Sequence, residues 1–442
     1  MSTLINNQPL TKLNVLSFKG VQMRTFHITW LTFFACFFGW FGLAPLMPTI
    51  RHDLGLTKSQ VGNTIIAAVS ATIIARLIIG RIADIWGPRK THTALLILGA
   101  MPVMLVGLAH SYTSFILFRL AIGVIGASFV ITQFHTSLMF ASNIKGTANA
   151  FTGGWGNLGG GVTNMVMPLI FAVIVGFGYT KEEAWRYAMI VPGLMLLAMA
   201  FIYYRFTKDT PAGNFNEIPR IKKSEQKTDW SVLADWRIWS LAIAYAVCFG
   251  MEITFDGVAA LHFTDTFHLS LKAAGFWAGA FGFMNIFARA LGGIASDKIG
   301  KKSGLRGKGF LLAGMLLLEG CGIILFASSG SLGMAILSML TFALFLKMAN
   351  GATYGIVPFI NEKNVGMVSG IVGAGGNVGG MLFGFLFKSE SITYVQAFKY
   401  IGFIVIGVSL IVLVTKFAHE KKIAVANLED EEIFEKVELK VG

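Results

Sequence analysis

The chain has 442 residues, 55% hydrophobic and 13% charged, with 36 Lys and Arg against 23 Asp and Glu for a formal net charge of +13. Its apolar residues come in repeated runs of about 20, which excludes a soluble globular protein and also a membrane β-barrel, whose strands are about ten residues long with alternating polarity. The positive charge would suit a nucleic-acid partner, but it sits in short loops between the apolar runs, so it orients a membrane protein and no nucleic acid is expected.

In chain order the apolar runs lie at about 27–47, 61–83, 93–110, 113–140, 148–177, 185–204, 238–262, 272–296, 309–328, 332–358, 366–388 and 398–418. Each can cross a hydrocarbon core as a helix. The first has no small-residue cleavage site and is too long for a signal-peptide core, so it reads as a retained helix. The sequence therefore predicts an all-α polytopic membrane protein embedded in a lipid bilayer. After the sixth run comes a polar linker with Pro211, Gly213 and Pro219 and with Arg205, Lys208, Arg220, Lys222, Lys223 and Lys227. Lys298, Lys301, Lys302, Arg306 and Lys308 crowd the loop after the eighth run, whereas 262–270 and 328–331 carry no Lys or Arg. Positive charge marks the cytoplasmic side, which places the basic loops and both termini there, in a cell membrane such as the bacterial inner membrane. The expected organisation is a cytoplasmic N-terminal segment (1–25), a six-helix bundle (26–205), a cytoplasmic linker (206–236), a second six-helix bundle (237–418) and a cytoplasmic tail (419–442).

Cys36, Cys248 and Cys321 all fall in apolar runs without disulfide or metal spacing, and are expected to be small buried hydrophobes. Neither a metal nor a cofactor is expected. With no phosphate loop and no nucleophile beside a base, the chain does not read as an enzyme.

The two halves repeat one another. Gly80-Arg-Ile-Ala-Asp84-Ile-Trp-Gly87-Pro-Arg89-Lys90 recurs as Gly293-Ile-Ala-Ser-Asp297-Lys-Ile-Gly300-Lys-Lys302, an offset of 213 that also carries Arg76 onto Arg289. Asp84 and Asp297 end helices among basic residues and are expected to latch that end by ion pairs, with Arg81 beside them. Arg76 and Arg289 are lone cations in apolar runs. A charge at mid-bilayer costs about 2.5–3.5 kcal/mol on insertion scales, so each must face the protein interior or an aqueous path. Arg119, near the far end of the fourth run, reads as snorkelling to the interface. A second repeat, Gly153-Gly154-Trp155-Gly156-Asn157-Leu158-Gly159-Gly160-Gly161 and Gly373-Ala374-Gly375-Gly376-Asn377-Val378-Gly379-Gly380, lies in the fifth helix of each half. Glycine there permits close helix packing, and the single asparagines Asn157 and Asn377 can donate to an oxyanion.

Six plus six helices with the G-x-x-x-D-x-x-G-basic loop after the second and eighth resemble the major facilitator superfamily. The resemblance implies twelve transmembrane helices in two bundles that rock about a central site. The paired glycine–asparagine runs are similar to the nitrate signatures of its nitrate/nitrite porter family. So are Ala184-Trp185-Arg186, Val191-Pro192-Gly193, Cys248-Phe249-Gly250-Met251-Glu252-Ile253-Thr254 and Gly355-Ile356-Val357-Pro358-Phe359. The likeness is strongest to the high-affinity nitrate uptake branch. It implies that Arg76 and Arg289 clamp nitrate between aromatic walls Phe129 and Phe249, with Tyr245 as a hydrogen-bonding partner and Gly126 as a backbone contact. A guanidinium fork matches a planar monovalent anion in its plane, and aromatic faces cover its flat sides.

The resulting expectation is uptake of nitrate, and of nitrite, by a monomer working through alternating access with proton symport; nitrate/nitrite antiport on the same site, without proton coupling, is the alternative. Glu252 and Asp256, one turn apart, and His135 are candidates to carry the proton, each with a structural ion pair as the competing role. Lys347 stands where the family more often has a neutral polar residue, and can pair with Glu252 or Glu319 or add a third positive charge. A nitrate sensor would append a signalling domain, and a drug exporter would want a wide cavity without paired arginines.

Overall fold

The computed structural model describes residues 8–141, 144–217, 230–361 and 365–417, all of it helix, turn and loop apart from two isolated bridges. Arg220, Lys222, Lys223, Lys227 and the tail 419–442 lie outside these residues. Among the described residues ten segments are long and apolar enough to cross a membrane. We number the helices α1 Gly20–Phe41, α2 Lys58–Trp86, α3 Pro88–Leu105, α4 Tyr112–Met139, α5 Lys145–Gly176, α6 Lys181–Phe206 and α7 Trp236–Phe267. The 57-residue segment Leu271–Ala327 holds two of them, α8 (271–303) and α9 (305–327), because the chain leaves helical geometry at Gly304 (φ 57°, ψ −156°). α10 Leu332–Tyr354, α11 Met367–Lys388 and α12 Tyr394–Val414 follow. Counting α1, the twelve helices of the sequence reading are present. The first run is shifted, since its helix begins at Gly20 and the chain turns at 42–46 before a short helix, Met47–Asp53.

Every even-numbered helix starts at the end away from the basic loops, and each starts on a hydroxyl. The side chains of Thr57, Ser111, Thr180, Ser270, Ser331 and Thr393 accept from the backbone N–H three residues on. Such a cap satisfies one of the four free N–H groups of a helix start and is worth about 1 kcal/mol. Uncharged caps do this at a membrane boundary without adding an ion.

Within the first half α1 packs on α5 and α3 on α6; within the second, α7 packs on α11 and the 288–327 stretch on α10 and α12. The halves meet where α2 packs on α11 and α5 on α8. At the capped end, polar contacts join them. Arg51 makes a two-pronged ion pair with Asp265 (2.8 and 2.9 Å). Lys58 Nζ donates to the carbonyls of Ser389 (2.7 Å) and Ile392, and Ser59 N–H to Glu390 Oε1 (2.9 Å). Below them Gly161 and Gly282 touch backbone to backbone. This end of the molecule is sealed.

Three expectations change. Cys36 and Cys248 are buried, but Cys321 is exposed on the outer face of α9. Arg119 does not snorkel: it is buried, with Nε 3.4 Å from the Thr64 carbonyl, because it points inward onto α2. The two loop aspartates are not equivalent. Asp297 Oδ1 accepts from Lys308 Nζ at 2.9 Å, and Lys308 also donates to the Gly355 carbonyl, but Asp84 and Arg81 are exposed and Asp84 makes no ion pair among the described residues. Its place is taken by Asp209 of the linker, which accepts from Arg89 N–H (2.8 Å) and Phe215 N–H (3.0 Å) and fills the space beside Gly87. Gly87 has φ 86°, a conformation in which a side chain is strained.

Candidate functional site

Arg76 on α2 and Arg289 on α8 each precede the aspartate of their loop repeat by eight residues, which sets both about 12 Å from that end at 1.5 Å per residue. Both are buried, at 8% and 4% exposure, so each cation is held inside the protein and away from lipid. Arg76 Nε lies 3.5 Å from the Gly126 carbonyl, and Nη1 donates to the Gly373 carbonyl at 3.1 Å, so an arginine of the first half grips a helix of the second. Its Cζ is 5.0 Å from the Phe129 ring centre. Arg289 Nη2 donates to the Tyr245 hydroxyl at 2.8 Å, and its Cζ is 6.0 Å from the Phe249 ring centre. Tyr245 and Phe249 stack at 5.0 Å and 6°, while Tyr354 stands edge-on to Tyr245 at 5.1 Å. A Cβ on Gly373, whose carbonyl Arg76 uses, would lie 3.1 Å from the Tyr354 hydroxyl, and Tyr354 packs on the Tyr245 that Arg289 bonds, so the two cations share one neighbourhood.

Glycines create this geometry. α4 tightens to a 3₁₀ turn at 124–127, and a Cβ on Gly126 would lie 2.5 Å from Thr72 Oγ1 and 2.8 Å from Trp40, so any side chain would push its carbonyl away from Arg76. A Cβ on Gly376 would sit 2.6 Å from Phe249 and 2.7 Å from Tyr245, and glycine is therefore what leaves room for the aromatic wall. Gly154 brings α5 against the Asn285 carbonyl, 3.3 Å from a hypothetical Cβ, and against the Arg289 side chain. Asn157, one turn further along α5, is fully buried with neither amide atom partnered among the described residues. Asn377 Nδ2 lies 3.4 Å from the same Gly373 carbonyl that Arg76 uses. Arg76 Nη2, Arg289 Nη1 and the Tyr354 hydroxyl are likewise buried without a partner among the described residues. A buried donor left unsatisfied costs about 1–3 kcal/mol. Two cations, a phenol and an amide thus each keep a buried donor without a partner among the described residues, with Arg76 over the Phe129 ring and Arg289 near the Phe249 ring.

The charges behind the site balance. Glu252 Oε1 accepts from Asn285 Nδ2 (2.7 Å) and Lys347 Nζ (3.0 Å), and Oε2 from Asn350 Nδ2 (2.6 Å), with Glu252 and Lys347 both fully buried. Lys347 thus neutralises Glu252 and contributes no free third charge. His135 lies nine residues beyond Gly126, about 13 Å along the helix, and bonds the Tyr203 hydroxyl (2.5 Å) and the Lys208 carbonyl (2.7 Å), tying α4 to α6 and the linker. Asp256 is buried one turn beyond Glu252 with neither carboxyl oxygen partnered among the described residues. The sequence reading passed over Tyr354, the Gly373 carbonyl, Asn285 and Asn350. The two asparagines carried a usable signal, each being the single amide in its apolar run.

Comparison with known proteins places this arrangement in a family. Residues 29–384 match the family described as Major Facilitator Superfamily. The chain is 39% identical to High affinity nitrate transporter 2.5 of Arabidopsis thaliana over 408 residues, 90% of this chain and 81% of that protein. The chain belongs to the nitrate/nitrite porter family of the major facilitator superfamily. This porter is also 39% identical to Nitrate transporter 2.2 of Chlamydomonas reinhardtii (82% and 72% covered) and 29% identical to Nitrate/nitrite transporter NrtP of a Picosynechococcus species (83% and 85% covered). Its fold is shared with solved structures of low identity. A bacterial homologue of the human lysosomal transporter Spinster, inward-facing and occupied, superposes with TM-score 0.67 at 16% identity (90% and 95% covered). The inward-open xylose transporter XylE of E. coli does so with TM-score 0.65 at 13% (91% and 97% covered). As a major facilitator the porter is a membrane transporter and not an enzyme.

Proposed function

We propose that this porter takes up nitrate, and nitrite with it, by alternating access coupled to protons, with the anion held between Arg76 and Arg289. The observation that carries the reading is the pair of buried guanidinium groups from opposite halves, each with a free donor and an aromatic face, linked through the packed pair Tyr245 and Tyr354. Without an anion two facing cations repel; with one they attract it jointly, so the anion favours the state in which the halves close. That differential interaction is what a conformational switch requires. Relatives named for nitrate transport support the substrate. The aromatic faces beside the guanidinium groups support it too, because they suit the flat sides of a planar anion.

In this reading the basic-loop end and both termini face the cytoplasm, and the capped, sealed end faces outside. The protein works as a monomer of two six-helix bundles, 26–205 and 237–418. Bringing an anion in against an inside-negative potential costs about 2.3 kcal/mol per charge per 100 mV, which a co-transported proton offsets. Nitrate flux into proteoliposomes, with and without an inward proton gradient and with nitrite inside, tests this. Uptake raised by outside acid is expected. Uptake raised by internal nitrite and indifferent to acid would replace symport with exchange, and no nitrate flux under any condition would overturn the substrate.

A further inference from the structure

Asp256 is 1% exposed, and neither of its carboxyl oxygens has a hydrogen-bond partner among the described residues. An ionised carboxylate in that condition costs several kcal/mol of lost hydration, so the packing seen here favours the neutral side chain that carries a proton. Its position gives that proton a meaning. Asp256 lies seven residues past Phe249 on α7, about 10 Å from the aromatic wall toward the sealed end. There it meets the first half: a Cβ on Gly160 of α5 would be 2.9 Å from Asp256 Oδ2, and Asn164 Nδ2 lies 3.3 Å from the Asp256 carbonyl. The adjacent residue, Gly161, is the one that touches Gly282 of α8. The contact that buries Asp256 is therefore part of the contact that seals this end.

The groups facing Asp256 do not neutralise it. Lys347 of α10 is bonded to Glu252, one turn before Asp256 on α7, and makes no hydrogen bond to Asp256 among the described residues. Glu319 of α9 is also buried and unpartnered among the described residues. Asn164 and Gly160 of α5 bring no charge. Glu252, which accepts three hydrogen bonds, and His135, at the far end of α4, are each fixed in structural roles.

We propose that Asp256 is the proton-binding site that couples closure of the outer end to anion uptake. This rests on the uptake reading above and names its coupling group. When α5 separates from α7 and α8, outside water reaches the carboxylate. A hydronium ion there transfers its proton, an O–H bond forms on Asp256 and a water molecule is left behind. The neutral side chain then fits the closed seam, and nitrate and one proton are enclosed together with no net charge. After the anion leaves Arg76 and Arg289 for the cytoplasm, the O–H bond breaks and the proton passes to water entering from the basic-loop end, which restores the carboxylate for reopening.

The test compares wild type and D256N in the same liposomes. Two quantities are read: nitrate accumulation under an inward gradient of about one pH unit, and nitrate-for-nitrate exchange without a gradient. One coupled proton sustains up to about tenfold accumulation at that gradient. D256N is expected to exchange within about twofold of wild type and to accumulate no nitrate. Gradient-driven accumulation by D256N equal to wild type overturns the assignment and leaves symport standing. A wild type indifferent to the gradient overturns symport and this role with it. For a variant that exchanges poorly, spin labels at Lys181→Cys and Gly330→Cys, with Cys321→Ser, report the outer-end separation. Alkaline pH is expected to lengthen it in wild type and not in D256N, and an equal response in both overturns the proposal.

Discussion

Gly161→Ala separates closure from folding. A Cβ at Gly161 would lie 2.5 Å from Gly282 Cα and 2.9 Å from the Gly279 carbonyl, and the smallest ordinary van der Waals contact is 3.4 Å. Helices α5 and α8 must therefore part by about 0.9 Å, and the atoms in the way are backbone, which cannot rotate aside. Overpacking of this kind costs about 1–3 kcal/mol. On the proposed rocking of the halves the two glycines part in the open state, so the cost is expected to fall on the sealed one. The ratio of sealed to open molecules should drop by about 5- to 150-fold. Folding should not suffer, because alanine in a helix is favoured over glycine by about 0.5–1 kcal/mol. Gly293→Ala, on α8 with nothing within 4 Å of its Cβ position, is the control. Nitrate uptake in liposomes and the outer-end spin-label distance are the readouts. We expect uptake at least about fivefold lower, a longer distance and an unchanged melting temperature for Gly161→Ala, with Gly293→Ala like wild type. Gly161→Ala with wild-type uptake and distance would refute the seam as the moving contact.

Lys347→Met strands the Glu252 charge in the bundle and should cost about 3–5 kcal/mol of stability, whereas adding Glu252→Gln should recover most of it. Thermal unfolding in detergent checks this, and a double variant no more stable than the single would contradict the pairing. Arg51→Ala should weaken the outer seal by about 1 kcal/mol, because the pair is about one-third exposed and screened. The effect should shrink with salt and should not add to that of Asp265→Ala, as measured by the outer-end distance.

Much of this was legible in the sequence, for physical reasons that also mark where legibility stopped. Arg76 and Arg289 stood out because a charge in a 20-residue apolar run has few permissible surroundings, and the offset of 213 put them at equal depth. Phe129 and Phe249 were visible only through family resemblance, being two of 38 phenylalanines with no pattern of their own. Tyr354 and the Gly373 carbonyl were missed because a backbone acceptor has no sequence signal and a lone tyrosine in an apolar run looks like packing. Arg51 and Asp265 meet across 214 positions of chain, and helical periodicity encodes nothing about such a pairing. The loop repeat misled at Asp84, where identical spacing implied an identical role. The linker residue Asp209, outside the repeat, had already filled the niche beside Gly87.

The account rests on two arginines holding one flat anion, and nitrate binding by the purified Arg76→Lys and Arg289→Lys variants tests it most directly. Lysine keeps the charge but loses the fork, and a lost charge-assisted hydrogen bond is worth about 1.5–3 kcal/mol. Nitrate affinity, read as nitrate-dependent thermal stabilisation, is expected to fall by about 10- to 150-fold in each variant, with the melting temperature in the absence of nitrate unchanged. Binding within about twofold of wild type in either lysine variant would contradict the clamp.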